Sequence, residues 1–192
     1  VGSVMPFLQV GGDASSKEGW RIAVSLIYGM TGDRKKAAEI TEKLELCTKQ
    51  EANVQFTMAD RKINAVISTS AGRLFDGVSA MLGIRRKSTF EGEASMALEF
   101  AAEEYRETML EKSKQQIQET EKYGYDKEDT DTLNRNENLS ETEEIKRMDD
   151  KLISAGDRLL LNTESLIKEI LNCQLNGEDP GKLAYFFHRE LA

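Results

Sequence analysis

Residues 63–98 read INAVISTSAGRLFDGVSAMLGIRRKSTFEGEASMAL, and this stretch decides the fold. At about 100° per residue, its central part places apolar residues on one side of a helix. These apolar residues are Leu74, Phe75, Val78, Met81 and Leu82. We predict an amphipathic helix that buries this side in the core, and we expect Asp76 to face elsewhere.

The opposite side of the same helix carries minimal side chains and one carboxylate. Its members are Gly72, Asp76, Ser79, Ala80 and Gly83. Backbone or ligand can approach such a strip closely, because glycine and alanine occupy little space. The strip is therefore a candidate binding face.

A run of hydroxyl side chains, residues 68–70, precedes this helix at the place of an N-cap. Helix starts present free N–H groups and partial positive charge, which suit phosphate or carboxylate. Asp76 lies about one turn inside and could accept hydrogen bonds from ribose hydroxyls, as acidic residues do in other nucleotide sites. The alternative is a solvated aspartate on an ordinary surface helix.

Three motifs resemble those of a known family. STSAGRLFDGVSAMLGI followed by FEGEASMALE resembles the signature of the HypF family, the carbamoyltransferases that begin cyanide-ligand synthesis in nickel–iron hydrogenase maturation. VGGDASSKEGWRIAV near the start and LAYFFHRELA at the end resemble two further segments of that family. The resemblance covers both ends and the first half, while residues 113–155 match no family segment.

The resemblance implies a fold and a set of site residues. The carbamoyl-transfer part of the family is similar to the tRNA threonylcarbamoyl-transferases, so this chain would be a helical segment of an actin-like ATPase-type (ASKHA) domain. Asp76 matches a ribose-contacting aspartate, and Gly92 matches a glycine beside the nucleotide. Gly72, Arg73 and Glu91 match further nucleotide-site motif positions.

Two positions depart from the family pattern. Glu93 stands where the family usually has glutamine, which affects the expected ligand contacts. Gly19 replaces a proline, which we expect to affect only a helix start.

The resemblance also implies a reaction for the parent enzyme. Such an enzyme uses carbamoyl phosphate and ATP, forms carbamoyl-adenylate, and transfers the carbamoyl group to the C-terminal cysteine of HypE. In the family, an HHxxH-type metal-binding segment precedes the region that matches this chain, and a glycine-rich segment follows it. The metal ion would therefore be held outside this chain, and we expect the chain alone to be inactive. The alternative is a non-catalytic helical interaction module derived from the same fold.

Composition limits the other classes of function. The 192 residues carry a net charge of −8 with a pI near 4.9, which argues against a nucleic-acid surface. No window resembles a membrane span or a signal peptide, so a cytoplasmic location is expected. Because the chain opens on Val1 and the resemblance begins and ends within a domain, we expect a piece of a larger enzyme.

The chain as a whole is predicted to be mainly α, a single helical fragment spanning residues 1–192, with at most a small β-hairpin. The hairpin would pair residues 151–154 with residues 158–161. A polar excursion at residues 113–150 contains twelve acidic and six basic residues. Helix starts are expected at Ser15, Asp33, Thr48, Ser88, Asn162 or Thr163, and Asp179–Pro180.

Two surface features leave alternatives open. Arg85, Arg86 and Lys87 join the two halves of the signature, where they could bring positive charge to a phosphate or simply solvate a loop. Apolar stripes that lack their partner lobes could pair two copies of the fragment, so a homodimer is a hypothesis.

His188, the single histidine, is expected to be packed and hydrogen-bonded.

Overall fold

A computed structural model describes residues 2–123, 152–155 and 158–191 of this chain. The helices are α1 (Gly19–Thr31), α2 (Arg34–Lys43), α3 (Lys49–Asp60), α4 (Ala71–Met81), α5 (Glu93–Tyr123), α6 (Thr163–Leu175) and α7 (Pro180–Leu191). The strands are β1 (Gly2–Val4), β2 (Phe7–Val10), β3 (Ala65–Ser68), β4 (Leu152–Ala155) and β5 (Arg158–Leu161), and a short 3-10 helix spans Gly12–Ser16.

Several helices begin where their capping residues predict. The Asp33 carboxylate accepts hydrogen bonds from the N–H groups of Lys35 and Lys36 at the start of α2. Thr48 and Glu51 form a complete capping box at the start of α3. The Asn162 side chain accepts from the N–H of a residue in the first turn of α6. These three predicted starts are confirmed.

Two predicted capping boxes are wrong. Ser15 lies in the 3-10 helix, its Oγ donates to the carbonyl of Gly12, and Glu18 at the N-cap of α1 makes no capping hydrogen bond. The Ser88 and Glu91 pair is replaced by Thr89 and Glu93, whose carboxylate accepts from the Thr89 N–H and hydroxyl. Spacing alone cannot distinguish neighbouring registers, because serine, threonine and glutamate occur at several adjacent positions there.

Strand content exceeds the predicted hairpin. The β4–β5 hairpin forms as expected, but β1 pairs with β5 in parallel and gives a three-stranded sheet. A second sheet pairs β2 with β3 in antiparallel register, Phe7 opposite Ser68 and Val10 opposite Ala65. The expectation of at most one hairpin is therefore wrong. Strands of three or four residues are too short to show a clear alternation of polar and apolar residues.

The core is built around α1, which packs against α2, α3, α4 and β2. Its buried residues lie on every side of the helix rather than along one stripe. They are Gly19, Trp20, Ile22, Ala23, Val24, Ser25, Leu26 and Ile27. A second contact joins α5 to α7, where Leu183, Ala184 and Phe187 are buried. The structure is mainly helical, as predicted.

The acidic excursion predicted at residues 113–150 overlaps the described residues only at its start. Residues 113–123 form the last turns of α5. The remainder, including the helical stretch expected around residues 141–148, lies outside the described residues.

Candidate functional site

The site begins at the first turn of α4. Ser70 is the N-cap, and its Oγ accepts a hydrogen bond of 3.3 Å from the Arg73 N–H. Gly72 lies exposed in this first turn, and a Cβ added there would meet only the Oγ of Ser70, at 3.9 Å. The hydroxyl-capped helix start predicted from the sequence is therefore confirmed, with an open glycine beside it.

Asp76 is buried, contrary to the prediction that it faces away from the packed side. Its residue exposure is 7%. Oδ2 accepts a hydrogen bond of 2.7 Å from Nη1 of Arg73. Within the part of the chain that the structure describes, Oδ1 has no hydrogen-bond partner, yet it is not among the fully enclosed polar atoms. One oxygen is thus held in place, and the other retains access to solvent.

Burial changes the protonation of Asp76. Loss of solvent around the carboxyl raises its pKa above the ordinary value, and the charge of Glu91 adds to the increase. The positive charge and hydrogen bond of Arg73 act in the opposite direction but do not outweigh burial. Glu91 lies on the loop before α5, and α5 packs against α4.

The predicted binding strip is largely a helix contact. Asp76, Ser79 and Ala80 are buried, because α1 lies against this side of α4. A Cβ on Gly19 of α1 would lie 2.6 Å from the Asp76 carbonyl oxygen and 3.6 Å from Cβ of Ala80. The strip prediction is wrong along its centre; only its two ends, Gly72 and Gly83, are exposed. A helical wheel fails here because α4 is packed on two sides.

The second half of the site is the turn that leads into α5. Gly92 has φ +83, a left-handed conformation that favours glycine, and nothing lies within 4 Å of the position of a Cβ. Its carbonyl accepts from the Met96 N–H at 2.9 Å, as part of the start of α5. Glu91 beside it is exposed. The predicted residues lie in two segments, the first turns of α4 and the turn before α5, and these two helices pack against each other. They are Gly72, Arg73, Asp76, Glu91 and Gly92.

The basic triplet between these segments is engaged by carboxylates. Arg85 lies 3.4 Å from Glu93, Arg86 lies 3.9 Å from Glu45, and Lys87 lies 2.9 Å from Glu18. These ion pairs attach the loop to α5, to the turn after α2 and to the start of α1. The sequence suggested either phosphate binding or solvation of a loop for these residues, and attachment of the loop is neither of these.

A third segment was not predicted to belong to the site. Nη1 of Arg73 also donates a hydrogen bond of 2.9 Å to the carbonyl of Ser16, at the end of the 3-10 helix. The GGDASS segment, residues 11–16, is thereby placed against the start of α4. The signal was present in the sequence, because VGGDASSKEGWRIAV is one of the three motifs that resemble the HypF family.

The single histidine has a structural role. Nδ1 of His188 lies 2.8 Å from the Ala184 carbonyl oxygen, and the ring packs edge-on against Phe75, so the predicted packed histidine is confirmed. Burial raises the pKa of the Cys47 thiol to about 11, which keeps it protonated at neutral pH.

In the described ranges no three His, Cys, Asp or Glu side chains group as metal ligands do. None of the described helices combines the length and apolar character needed to cross a membrane.

Comparison with known proteins identifies a family and several relatives of this chain. The profile of the family described as "Carbamoyltransferase, Kae1-like Domain, second subdomain" matches residues 1–192. A probable carbamoyltransferase HypF of Methanocaldococcus jannaschii is 32% identical over 106 residues, which cover 55% of this chain and 14% of that protein. The carbamoyltransferase HypF of Rhodobacter capsulatus is 36% identical over 103 residues, covering 53% of this chain and 13% of that protein.

Two solved structures share the fold. A crystal structure of full-length HypF in a phosphate- and nucleotide-bound form has a TM-score of 0.60 and 19% identity, covering 96% of this chain and 18% of that one. The crystal structure of T. kodakarensis HypF has a TM-score of 0.61 and 18% identity, covering 100% of this chain and 20% of that one. The chain thus spans about a fifth of these proteins or less.

Proposed function

The chain belongs to the HypF carbamoyltransferase family, as the second subdomain of its Kae1-like domain, and we propose that it supplies one wall of the nucleotide site in a carbamoyltransferase of hydrogenase maturation. The observation that carries the proposal is Asp76, a carboxylate with one oxygen fixed by Arg73 and the other accessible. It lies in the motif GRLFD that the family resemblance assigns to the nucleotide.

The proposed reaction of the parent enzyme has three steps. Water hydrolyses carbamoyl phosphate to inorganic phosphate and carbamate, and a carbamate oxygen then attacks the α-phosphate of ATP. Carbamoyl-adenylate forms and pyrophosphate leaves. The C-terminal cysteine thiolate of HypE attacks the carbamoyl carbon, a carbon–sulfur bond forms, and AMP leaves.

In this proposal Asp76 accepts a hydrogen bond from a ribose hydroxyl through Oδ1. Arg73 holds Oδ2, so the carboxylate keeps one orientation before and after the nucleotide arrives. A carboxylate that is already ordered loses little side-chain entropy on binding, which favours affinity. Ionised Asp76 is the better acceptor, and because burial raises its pKa, acid weakens this interaction at a higher pH than it would for an ordinary aspartate.

Gly72 and Gly92 are proposed to let the nucleotide approach the backbone. Among the described atoms, none lies close enough to require glycine at position 72, and alanine would favour the helix there. Gly92 adopts a left-handed conformation next to open space. Glu91, whose charge already influences Asp76, would shape the edge of the adenylate site.

Other parts of the proposed enzyme lie outside this chain. The fold of the intact domain would be actin-like (ASKHA), with the nucleotide between this subdomain and the other. The metal ion and the residues that handle carbamoyl phosphate would belong to that remainder, as would the cysteine-presenting contact with HypE. A cytoplasmic location is part of the same proposal.

A non-catalytic interaction module is the second candidate, favoured by a set of exposed apolar side chains. They are Val66, Ile67, Phe90, Met96 and Phe100, which are 44–68% exposed. In the first proposal these side chains face the remainder of the parent enzyme. In the second they bind another protein or a second copy of the chain. Light scattering of the isolated chain at high micromolar concentration distinguishes a homodimer, which doubles the mass, from a monomer.

The experiment that tests the proposed function uses the full-length parent enzyme. Incubation with ATP, carbamoyl phosphate and metal ion should release pyrophosphate in a manner that depends on carbamoyl phosphate. Residues 1–192 alone should show no turnover, because the metal ligands and the second lobe are missing. Turnover by the isolated chain, or a full-length enzyme without such release, would contradict the proposal.

A further inference from the structure

We infer that residues 16–20 form a positioning segment that fixes the distance between the two halves of the candidate nucleotide site, and that Gly19 is its critical residue. This inference rests on the proposed function, since it concerns how that site is held together. Each residue of the positioning segment contacts α4 or the loop before α5. None of these residues was predicted to take part in the site.

Gly19 of α1 packs directly against the backbone of Asp76 in α4. A Cβ on Gly19 would lie 2.6 Å from the Asp76 carbonyl oxygen and 3.2 Å from its carbonyl carbon. Real Cβ atoms do not tolerate 2.6 Å, and the opposing atoms are backbone, which cannot turn aside as a flexible side chain can. A side chain at position 19 must therefore shift the start of α1 and the Asp76 backbone relative to each other.

The prediction that Gly19 affects only a helix start is thus too narrow. The residue begins α1, but its missing side chain also sets how near Asp76 lies to α1. A proline at this position, as the HypF family usually has, also carries a Cβ. The α1–α4 distance in this chain is therefore adapted to glycine.

Ser16 contacts Arg73, the ion-pair partner of Asp76. The Ser16 carbonyl accepts from Nη1 of Arg73 at 2.9 Å, and the same nitrogen donates to Asp76 at 2.7 Å. Arg73 therefore connects the positioning segment to the Asp76 carboxylate, while Gly19 contacts the Asp76 backbone. The side chain and the backbone of Asp76 are both held by one short segment.

The loop that leads to Glu91 and Gly92 is attached to the same segment. The Lys17 carbonyl accepts from the Ser88 N–H at 2.7 Å, and the Trp20 N–H donates to the Arg86 carbonyl at 3.2 Å. Glu18 adds an ion pair with Lys87 at 2.9 Å. These contacts fix the loop on both sides of Lys87.

Both halves of the site are consequently positioned by one segment of the backbone. The hydrogen bonds of the positioning segment and the contact between Gly19 and Asp76 each allow only a narrow range of distances. A shift of this segment therefore changes the distance between Asp76 and Gly92. A nucleotide that contacts both halves requires this gap to match its own dimensions. Residues 16–20 are therefore positioning residues, without contact to the ligand themselves.

The test replaces Gly19 with alanine in the full-length parent and measures ATP binding by titration calorimetry. The matched control is Gly29→Ala in the same helix, where nothing lies within 4 Å of the added Cβ. We expect Gly19→Ala to raise the Kd for ATP about tenfold. Misplacing a group at an active site by about 1 Å can lower the reaction rate by roughly a hundredfold, and we expect a smaller effect on binding. Gly29→Ala should bind ATP as the wild type does.

Calorimetry separates positioning from folding. Protein that has unfolded irreversibly lowers the number of binding sites per molecule and leaves the Kd unchanged. Reversible unfolding raises the Kd only by the reciprocal of the folded fraction, which circular dichroism at the titration temperature measures. Displacement of Asp76 instead raises the Kd while the number of sites stays near the wild-type value. If Gly19→Ala loses sites without a change in Kd, the positioning role is wrong.

A second variant covers the case in which Gly19→Ala does not fold. Glu18→Ala removes the ion pair that joins the positioning segment to Lys87, together with a second pair to Arg21 within α1. It should raise the Kd about threefold, within the range of such pairs. Glu39→Ala, at an exposed carboxylate of α2, is its control. Unchanged Kd values in both Gly19→Ala and Glu18→Ala overturn the inference and leave the proposed function standing. A wild-type enzyme that does not bind ATP overturns the proposed function itself.

Discussion

The guanidinium of Arg73 lies 2.7 Å from Oδ2 of Asp76, at the i, i+3 spacing within α4. Their side chains are 24% and 10% exposed, so the ion pair is mostly shielded from water. A shielded pair is costly to form, because both charges lose hydration. The chain therefore holds a partly desolvated carboxylate in a fixed orientation, at a place where its second oxygen remains accessible.

The first prediction concerns the stability of the chain as a function of pH. The pKa of Asp76 is raised in the folded state, chiefly by burial, so the folded chain binds the proton more tightly than the unfolded chain. The stability associated with protonated Asp76 is complete below the unfolded pKa and is lost as pH rises through the folded pKa. Asp76→Asn cannot ionise, so its stability relative to wild type should increase across the range just above 3.8.

Urea unfolding at several pH values measures this difference. Glu39→Gln is the control, because it removes an exposed carboxylate elsewhere on the chain. A relative stability of Asp76→Asn that decreased with rising pH would mean that attraction to Arg73 outweighs burial. Burial would then not be the dominant influence on the Asp76 carboxyl.

The second prediction compares two phenylalanines with opposite surroundings. Phe187 of α7 is fully buried against Phe75, with ring centroids 5.0 Å apart, whereas Phe100 is 64% exposed on α5. Phe187→Ala should lower the free energy of unfolding by about 3–5 kcal/mol, because it leaves a cavity. Phe100→Ala should change it by less than about 0.5 kcal/mol. Similar losses in the two variants, measured by urea unfolding, would contradict the packing of α7 in the core.

The third prediction separates stability from binding at Gly72. Alanine fits at this position, since only the Ser70 Oγ lies within 4 Å of an added Cβ. Gly72→Ala should raise the free energy of unfolding by up to about 1 kcal/mol through its helix propensity. If the nucleotide approaches the backbone there, the same variant should weaken ATP binding in the full-length parent. A more stable variant with wild-type affinity would remove Gly72 from the site.

Much of the helical framework could be predicted from the sequence. Asp33 and Thr48 identify helix starts because their side chains accept hydrogen bonds from otherwise free N–H groups. Gly32 ends α1 with φ +59, a conformation that glycine adopts readily. These signals depend on a few adjacent residues, so one sequence contains them completely.

The burial of Asp76 could not be predicted from the wheel of α4. Its surroundings depend on Gly19, far away in the sequence, whose missing side chain brings α1 onto the polar side. The pairing of β1 with β5 is equally non-local, since Ser3 lies opposite Leu160. Contacts between distant segments leave little trace in local periodicity, so the centre of the site became clear only from the structure.

The central claim is that Asp76 contacts the nucleotide, and calorimetric titration of ATP into the full-length Asp76→Ala enzyme tests it most directly. Loss of a hydrogen bond to a charged group costs about 1.5–3 kcal/mol, so the Kd should rise roughly tenfold to a hundredfold. Glu39→Ala, which removes an exposed carboxylate elsewhere, should bind ATP as the wild type does. Wild-type ATP affinity in the folded Asp76→Ala enzyme would contradict a ribose contact at this residue.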